Sequence, residues 1–209
     1  MINTSLRVAI PSYPSKLHGP VITLLGLDLD HTDSRLTFFS DRTRMFLLRG
    51  WDIPAMVTRG FVHYGLCGFD CICESKSHVN IIEKLSLRQS RIALCCRENS
   101  SHILSNGATI ATEYPHLCSE YLERKGLTDC RIIQIKGAAE AVAYLPEVDF
   151  VIDLLTSGLS ARTNGLVAIE ELMFTDVCMI ETRAIEVPHR LVSSDELKER
   201  LLDDFATQL

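Results

Sequence analysis

No run of apolar residues in this chain approaches the roughly 18 that a membrane-spanning helix requires, and the N-terminus lacks a charged leader followed by a long apolar stretch. A span and a secretory route are therefore not expected, and the sequence reads as that of a cytosolic protein. Basic residues are in deficit: 21 Lys and Arg face 27 Asp and Glu, for a net charge of -6. With no basic tract and no RNA-binding motif, extended nucleic acid is not an expected partner. Arg42, Arg44 and Arg49 form a local positive cluster that suits either the phosphates of a small substrate or a solvated face. Internal repeats, low-complexity stretches and long linkers are missing as well. So is a Ser-His-Asp or Cys-His arrangement, because the seven histidines are scattered.

The length of 209 residues suits one large domain or two small ones, and a hydrophobic fraction of 46% supplies an ample core. The eight cysteines sit largely within apolar segments such as Ala93-Leu94-Cys95-Cys96 and Asp176-Val177-Cys178-Met179-Ile180. That placement points to reduced, mostly buried thiols rather than a disulfide scaffold. Cys67, Cys71 and Cys73 are close enough to supply part of a zinc site, but their spacing matches no common two-pair arrangement.

Strand-like runs at 5–10, 45–48, 64–67, 91–96, 109–111, 131–135, 150–155 and 177–182 alternate with helices expected to begin near Ile53, Val79, Pro115, Ala138, Thr163 and Ser194. The pattern is that of an α/β protein with largely parallel sheets. Ser194 precedes Asp195 and Glu196, after which Leu197, Leu201, Leu202 and Phe205 make an apolar stripe.

The most informative stretch lies between Glu140 and Gly165. Phe150 to Leu155 is a short apolar run of the kind a buried parallel strand needs, with Asp153 near its carboxyl end. Thr156, Ser157, Gly158, Leu159 and Ser160 then read as a turn into a helix. Backbone N–H groups there, with three hydroxyls and Arg162, suit a phosphate at the positive end of that helix. Glu140 and Asp153 suit sugar hydroxyls beside it. Taken alone, the turn is equally consistent with capping, for which Ser, Thr and Gly recur at strand-to-helix turns.

Other segments extend the pattern: Leu6-Arg7-Val8-Ala9-Ile10-Pro11, Trp51-Asp52-Ile53-Pro54, Gly60 through Asp70, Ile110-Ala111-Thr112-Glu113-Tyr114-Pro115, and Asn164-Gly165-Leu166. In this order, and over most of the chain, they resemble the catalytic part of the ATP phosphoribosyltransferases. The resemblance implies a two-lobed, type II periplasmic-binding-protein-like α/β fold with the active site in the cleft between lobes. Lobe I would comprise 1–95 and 180–209, and lobe II 96–179, carrying the phosphoribosyl-phosphate loop. Closure of such a cleft would keep water from a reactive sugar cation.

The implied reaction joins ATP to 5-phosphoribosyl 1-diphosphate at N1 of the adenine, with magnesium-bound pyrophosphate leaving. Positioning and charge stabilisation carry such chemistry, so no side-chain nucleophile is required. By resemblance, Thr156, Ser157, Gly158, Leu159, Ser160, Ala161 and Arg162 hold the 5-phosphate, while Glu140 and Asp153 orient the ribose and favour its cationic form. Lys16, Arg49 and Asp70 are the acceptor-side candidates, with helix capping the alternative for Asp70 and solvation the alternative for Arg49. Mg2+ is expected mainly through substrate phosphates. The chain resembles the short form of the family, which implies either a homodimer or a complex with a regulatory subunit resembling a histidyl-tRNA synthetase.

The sequence also departs from the family. The turn after the first strand, Pro11-Ser12-Tyr13-Pro14-Ser15-Lys16-Leu17, lacks the family's glycine and arginine, and Lys16 offers a point charge where Arg offers a planar fork. His63 stands where an acidic residue is usual, Cys67 replaces a Thr, and Glu113 replaces a Ser. In the phosphate loop Ser160 keeps the hydroxyl of the usual Thr. The phosphoribosyl half thus matches better than the acceptor half, which leaves open ATP as acceptor in histidine or specialised metabolism, another nitrogen acceptor, or a ligand-binding relative without chemistry.

Overall fold

The structure, a computed structural model, describes residues 5–13, 15–29 and 35–205. The chain divides into two compact units, Met1–Arg88 with Asp176–Leu209, and Gln89–Thr175. Two long strands, β5 (Asn80–Arg97) and β9 (Leu166–Glu181), belong in part to each.

In the first unit the strand order is β2 (Thr37–Phe39), β3 (Thr43–Leu48), β1 (Leu6–Pro11), β4 (Tyr64–Gly68) and β9. β1 is parallel to β3 and to β4, whereas the β2/β3 and β4/β9 pairs are antiparallel. The period-two alternation of β1 decides what lies on each face. Leu6, Val8 and Ile10 are buried with Val21 and Leu25 of α1 (His18–Leu25) and with Leu197, Leu201 and Phe205 of α7 (Ser194–Phe205). Ala9 points the other way, to Ile53 and Val57 of α2 (Ile53–Thr58). That helix lies close on β4, since a Cβ at Gly65 would come 2.5 Å from Ile53 Cγ2.

In the second unit the order is β5, β8 (Phe150–Leu155), β6 (Thr109–Thr112) and β7 (Arg131–Gln134). β7 and β8 both run parallel to β6, and β5 is antiparallel to β8. One face packs Ile92, Leu94, Ile110, Phe150 and Ile152 against Cys118, Tyr121 and Leu122 of α4 (Pro115–Lys125). The other face is built from smaller side chains, Ala93, Cys95, Ala111 and Val151, under Ala139 of α5 (Ala139–Val142) and Ala161 of α6 (Leu159–Thr163). Small residues there let two very short helices sit close to the sheet. The two units share a local plan: β1 lies between β3 and β4, and β6 between β7 and β8, in each case parallel to both neighbours.

Three expectations change. The segment after Val79 is strand rather than helix: Leu85 is buried between exposed Lys84 and Ser86, a period of two. The helix of the phosphate-loop segment begins at Leu159 and ends at Thr163, and Gly165, at φ 65°, turns the chain into β9. The sheets are mixed rather than largely parallel, because β5 and β9 return against β8 and β4. The last helix forms as expected with its cap one residue earlier. Ser193 Oγ accepts the Glu196 N–H at 3.3 Å, and the Glu196 carboxylate reaches back to the Val192 N–H at 3.0 Å.

Candidate active site

In the second unit the residues singled out from sequence converge at the carboxyl ends of the parallel strands, where open α/β sheets bind ligands. After β7 the backbone passes through Gly137 at φ 94° and Ala138 at φ 55°, a left-handed conformation uncommon for a residue with a Cβ. This double turn delivers Glu140 into the first turn of α5. After β8 come Thr156, whose hydroxyl accepts from Ser90 Oγ at 3.1 Å, and Ser157, whose Oγ accepts the Leu159 N–H at 3.3 Å. Gly158, at φ 68°, then starts α6.

The two loops meet. Ser160 Oγ donates to Glu140 Oε1 at 2.5 Å, and Arg162 folds back so that Nη2 donates to Ser157 O at 3.1 Å. Ala161 is buried beneath, whereas Ser157, Leu159, Ser160 and Arg162 are exposed. Because α6 is a single turn, its dipole is weak; the anion-binding capacity of the loop lies in its own N–H groups, its hydroxyls and the Arg162 guanidinium.

Asp153 stands half-buried on β8 opposite Ala93, on the face that carries α5 and α6. Its Oδ1 accepts the Leu154 N–H at 2.7 Å. The electrostatic environment is recorded by Cys95, on the adjacent strand. Burial, then the Asp153 carboxylate, and more weakly Glu140, push this thiol up to about 12 against the pull of Arg91. Cys95 is therefore an uncharged floor to a site with two carboxylates, a cation and several hydroxyls at its rim. Such a set can hold a phosphate on one side and stabilise positive charge on the other.

The acceptor-side candidates lie in the first unit, at the equivalent edge. Lys16 follows β1 and Arg49 follows β3, both exposed; Pro14 of the same turn lies outside the described residues. Asp70 differs from both. It is 5% exposed in the first turn of α3 (Phe69–Glu74), with its carboxylate folded over Gly68, where a Cβ would come 2.2 Å from Oδ1. It also accepts the Cys71 thiol at 3.7 Å. All eight cysteines are free, and among the described residues no three His, Cys, Asp or Glu side chains are grouped to hold a metal. The zinc reading of Cys67, Cys71 and Cys73 therefore has no geometric support there.

His63, which precedes β4, has a structural task. It is 1% exposed, and its Nδ1 accepts the Arg7 N–H at 2.9 Å, so the ring proton resides on Nε2. Burial first, and the Arg7 charge second, hold its pKa down to about 4, from 6.5. Protonation would destroy the acceptor and place two positive charges together. A group depressed in the fold binds more protons when unfolded, so stability is complete above pH 6.5 and declines as pH falls toward 4. The expected loss is about 2–3 kcal/mol. Urea unfolding at pH 7 and pH 4.5 checks this: His63→Asn should show a shallower pH dependence than the wild type, and identical slopes would refute the assignment.

Two residues not singled out as site residues also sit at the second unit's edge. Glu113, just past β6, lies with Oε1 3.5 Å from where a Cβ on Gly137 would be. Tyr144 Oη donates to Asn164 O at 2.8 Å. A sequence signal for the second existed: Glu140 and Tyr144 share the four-residue spacing of Ser160 and Asn164.

Comparison with known proteins places the chain in a family. The family model described as ATP phosphoribosyltransferase matches residues 49–203. The ATP phosphoribosyltransferase of Methanothermobacter thermautotrophicus is 30% identical over 188 residues, covering 85% of this chain and 65% of the relative. That of Oceanobacillus iheyensis is 29% identical over 177 residues, covering 82% of each. The chain thus spans less than two thirds of the length of the Methanothermobacter relative. Among solved structures, the ATP phosphoribosyl transferase (HisG:HisZ) complex from Thermotoga maritima superposes with a TM-score of 0.75 at 23% identity, covering 96% of each chain. The arginine-, lysine-, histidine-binding protein ArtJ of Geobacillus stearothermophilus gives 0.53 at 16% identity, over 97% of this chain and 91% of that one. The fold is of the type II periplasmic-binding-protein kind, and the chain belongs to the ATP phosphoribosyltransferase family.

Proposed function

We propose that this chain transfers the phosphoribosyl group of 5-phosphoribosyl 1-diphosphate to N1 of ATP, releasing pyrophosphate, in histidine biosynthesis or a related purine-derived specialised pathway. The observation that carries the reading is the meeting of Glu140 with the 156–162 loop at the carboxyl ends of parallel strands, beside Asp153. A phosphate-only binder gains nothing from two carboxylates there, whereas a site that stabilises a ribosyl cation needs them.

In the reaction the bond from the anomeric carbon to the diphosphate oxygen breaks as the bond to N1 forms. Thr156 through Arg162 anchor the 5-phosphate once Arg162 exchanges Ser157 O for a phosphate oxygen. Glu140 and Asp153 bind ribose hydroxyls and offset the charge that grows on the ring. We assign this donor half to the 96–179 lobe and the acceptor half, with Lys16, Arg49 and Asp70, to 1–95 and 180–209. The donor set fits magnesium carried on substrate phosphates, which needs at most one or two protein carboxylates. Such an ion would supply positive charge to the leaving diphosphate.

A homodimer or a complex with a histidyl-tRNA-synthetase-like regulatory subunit is the proposed assembly; the Thermotoga complex, whose own components are HisG and HisZ, supports the second. Among the described residues no helix is long and apolar enough to cross a membrane.

The test is pyrophosphate release by the purified chain with magnesium, ATP and 5-phosphoribosyl 1-diphosphate, with ultraviolet detection of the N1-linked product. Arg162→Ala should raise the KM for the donor by about 10- to 100-fold, the worth of one charge-assisted hydrogen-bonding group, with the KM for ATP little changed. A different nitrogen acceptor is favoured by one departure in the first unit, the turn after β1, which lacks the family's glycine and arginine and carries the exposed Lys16. Donor binding without ATP-dependent turnover, even with the regulatory subunit added, would select it. Absence of donor binding would leave the ligand-binding relative.

A further inference from the structure

Glu140 and Tyr144 are joined in order to Ser160 and Asn164. Ser160 Oγ donates to Glu140 Oε1 at 2.5 Å, and Tyr144 Oη donates to Asn164 O at 2.8 Å. Tyr144 stands in the turn that follows α5 and Asn164 caps the end of α6, so the two contacts form a two-rung ladder between the α5 and α6 segments. Two details lock the second rung. Asn164 Nδ2 donates to Ser160 O at 2.9 Å, tying one rung to the other. Gly165, at φ 65°, leaves room for the phenol, since a Cβ there would come 2.7 Å from Tyr144 Oη. Tyr144 is 54% exposed, so its burial contributes little and its hydroxyl contact is its main structural role.

From this ladder we infer that Tyr144 is a positioning residue for the donor site: it holds the phosphate loop at a fixed separation from the helix that carries Glu140. The inference rests on the proposed function, in which Glu140 meets the ribose and the loop meets the 5-phosphate. A ligand that spans both elements feels the separation. A ligand that touches the loop alone does not.

Tyr144→Phe removes the donor and keeps the ring. Calorimetry with ribose 5-phosphate and with inorganic phosphate reads the result. The variant should bind ribose 5-phosphate about 3- to 10-fold more weakly, the range for loss of one neutral hydrogen bond, with inorganic phosphate affinity within about twofold of wild type and an unchanged thermal midpoint. In turnover, kcat/KM for 5-phosphoribosyl 1-diphosphate should fall in parallel while the KM for ATP stays constant. Equal weakening of both ligands would mark a general lesion of the loop and overturn the inference, as would no change in either. If the wild-type chain binds neither ligand, the donor-site reading itself fails and the role of Tyr144 falls with it.

Discussion

Asp153→Asn should lower kcat by about 10²- to 10³-fold, the cost of removing one preorganised electrostatic group from a site that stabilises developing charge, while donor affinity changes only a few-fold. The substitution is nearly isosteric. The amide oxygen can still accept the Leu154 N–H that Asp153 Oδ1 takes at 2.7 Å, and Ala93 opposite leaves the strand pairing indifferent to the change. What disappears is negative charge, which matters little to a neutral ribose and much to a ring approaching an oxocarbenium ion. A fall in kcat and kcat/KM together, with donor binding by calorimetry preserved, identifies an interaction made in the transition state. A kcat within threefold of wild type would remove Asp153 from the mechanism.

The donor half of this site was legible in the sequence because its signals are local. Phe150 to Leu155 is apolar and short, and it forms β8 with the expected bounds. The hydroxyl turn follows it directly, so no long-range information is needed to place Asp153 before Ser157. The contact between Glu140 and Ser160 was not legible in the same way. It depends on β7 and β8 flanking β6, and on Ala138 adopting a left-handed conformation that no residue preference announces.

The acceptor half was harder to read. Lys16 and Arg49 lie at the ends of adjacent parallel strands as exposed cations, while Asp70 is buried over Gly68. From sequence all three are acceptor-side candidates, with helix capping the alternative for Asp70 and solvation the alternative for Arg49, and the fold adds the difference in burial. The 80–88 segment misled for a physical reason. Ile81, Ile82 and Leu85 fit a helical face, whereas Lys84, Leu85, Ser86 and Leu87 fit a strand, and the short window contains both periods. The burial of Leu85 between exposed Lys84 and Ser86 shows that the fold adopts the period of two.

The largest stability effect outside the site is expected at Asp204, near the end of α7. Its carboxylate is 2% exposed and takes Thr43 Oγ1 at 2.5 Å, Arg200 Nε at 3.0 Å and the Arg42 guanidinium. Through these contacts the last helix is pinned to β3, beside the packing of Phe205 on Phe38. Asp204→Ala takes away the acceptor of the Thr43 hydroxyl, which is wholly buried, and the counter-charge of Arg200, whose side chain is 20% exposed and whose Nε keeps only its donation to Thr43 Oγ1 at 3.2 Å. Breaking a buried pair by removing one partner costs about 3–5 kcal/mol. Arg42, at 57% exposure, simply returns to water, so about 2–4 kcal/mol is the expected loss here. Asp204→Asn keeps an acceptor for Thr43 and forfeits only the charge, so it should fall between, and Arg42→Ala should cost no more than about 1 kcal/mol. Urea midpoints for the three variants should therefore rank Ala below Asn below Arg42→Ala, at constant m-value. Equal losses for the Ala and Asn variants would locate the whole effect in the charge, and would mean that the Thr43 hydroxyl finds another acceptor when Asp204 is removed.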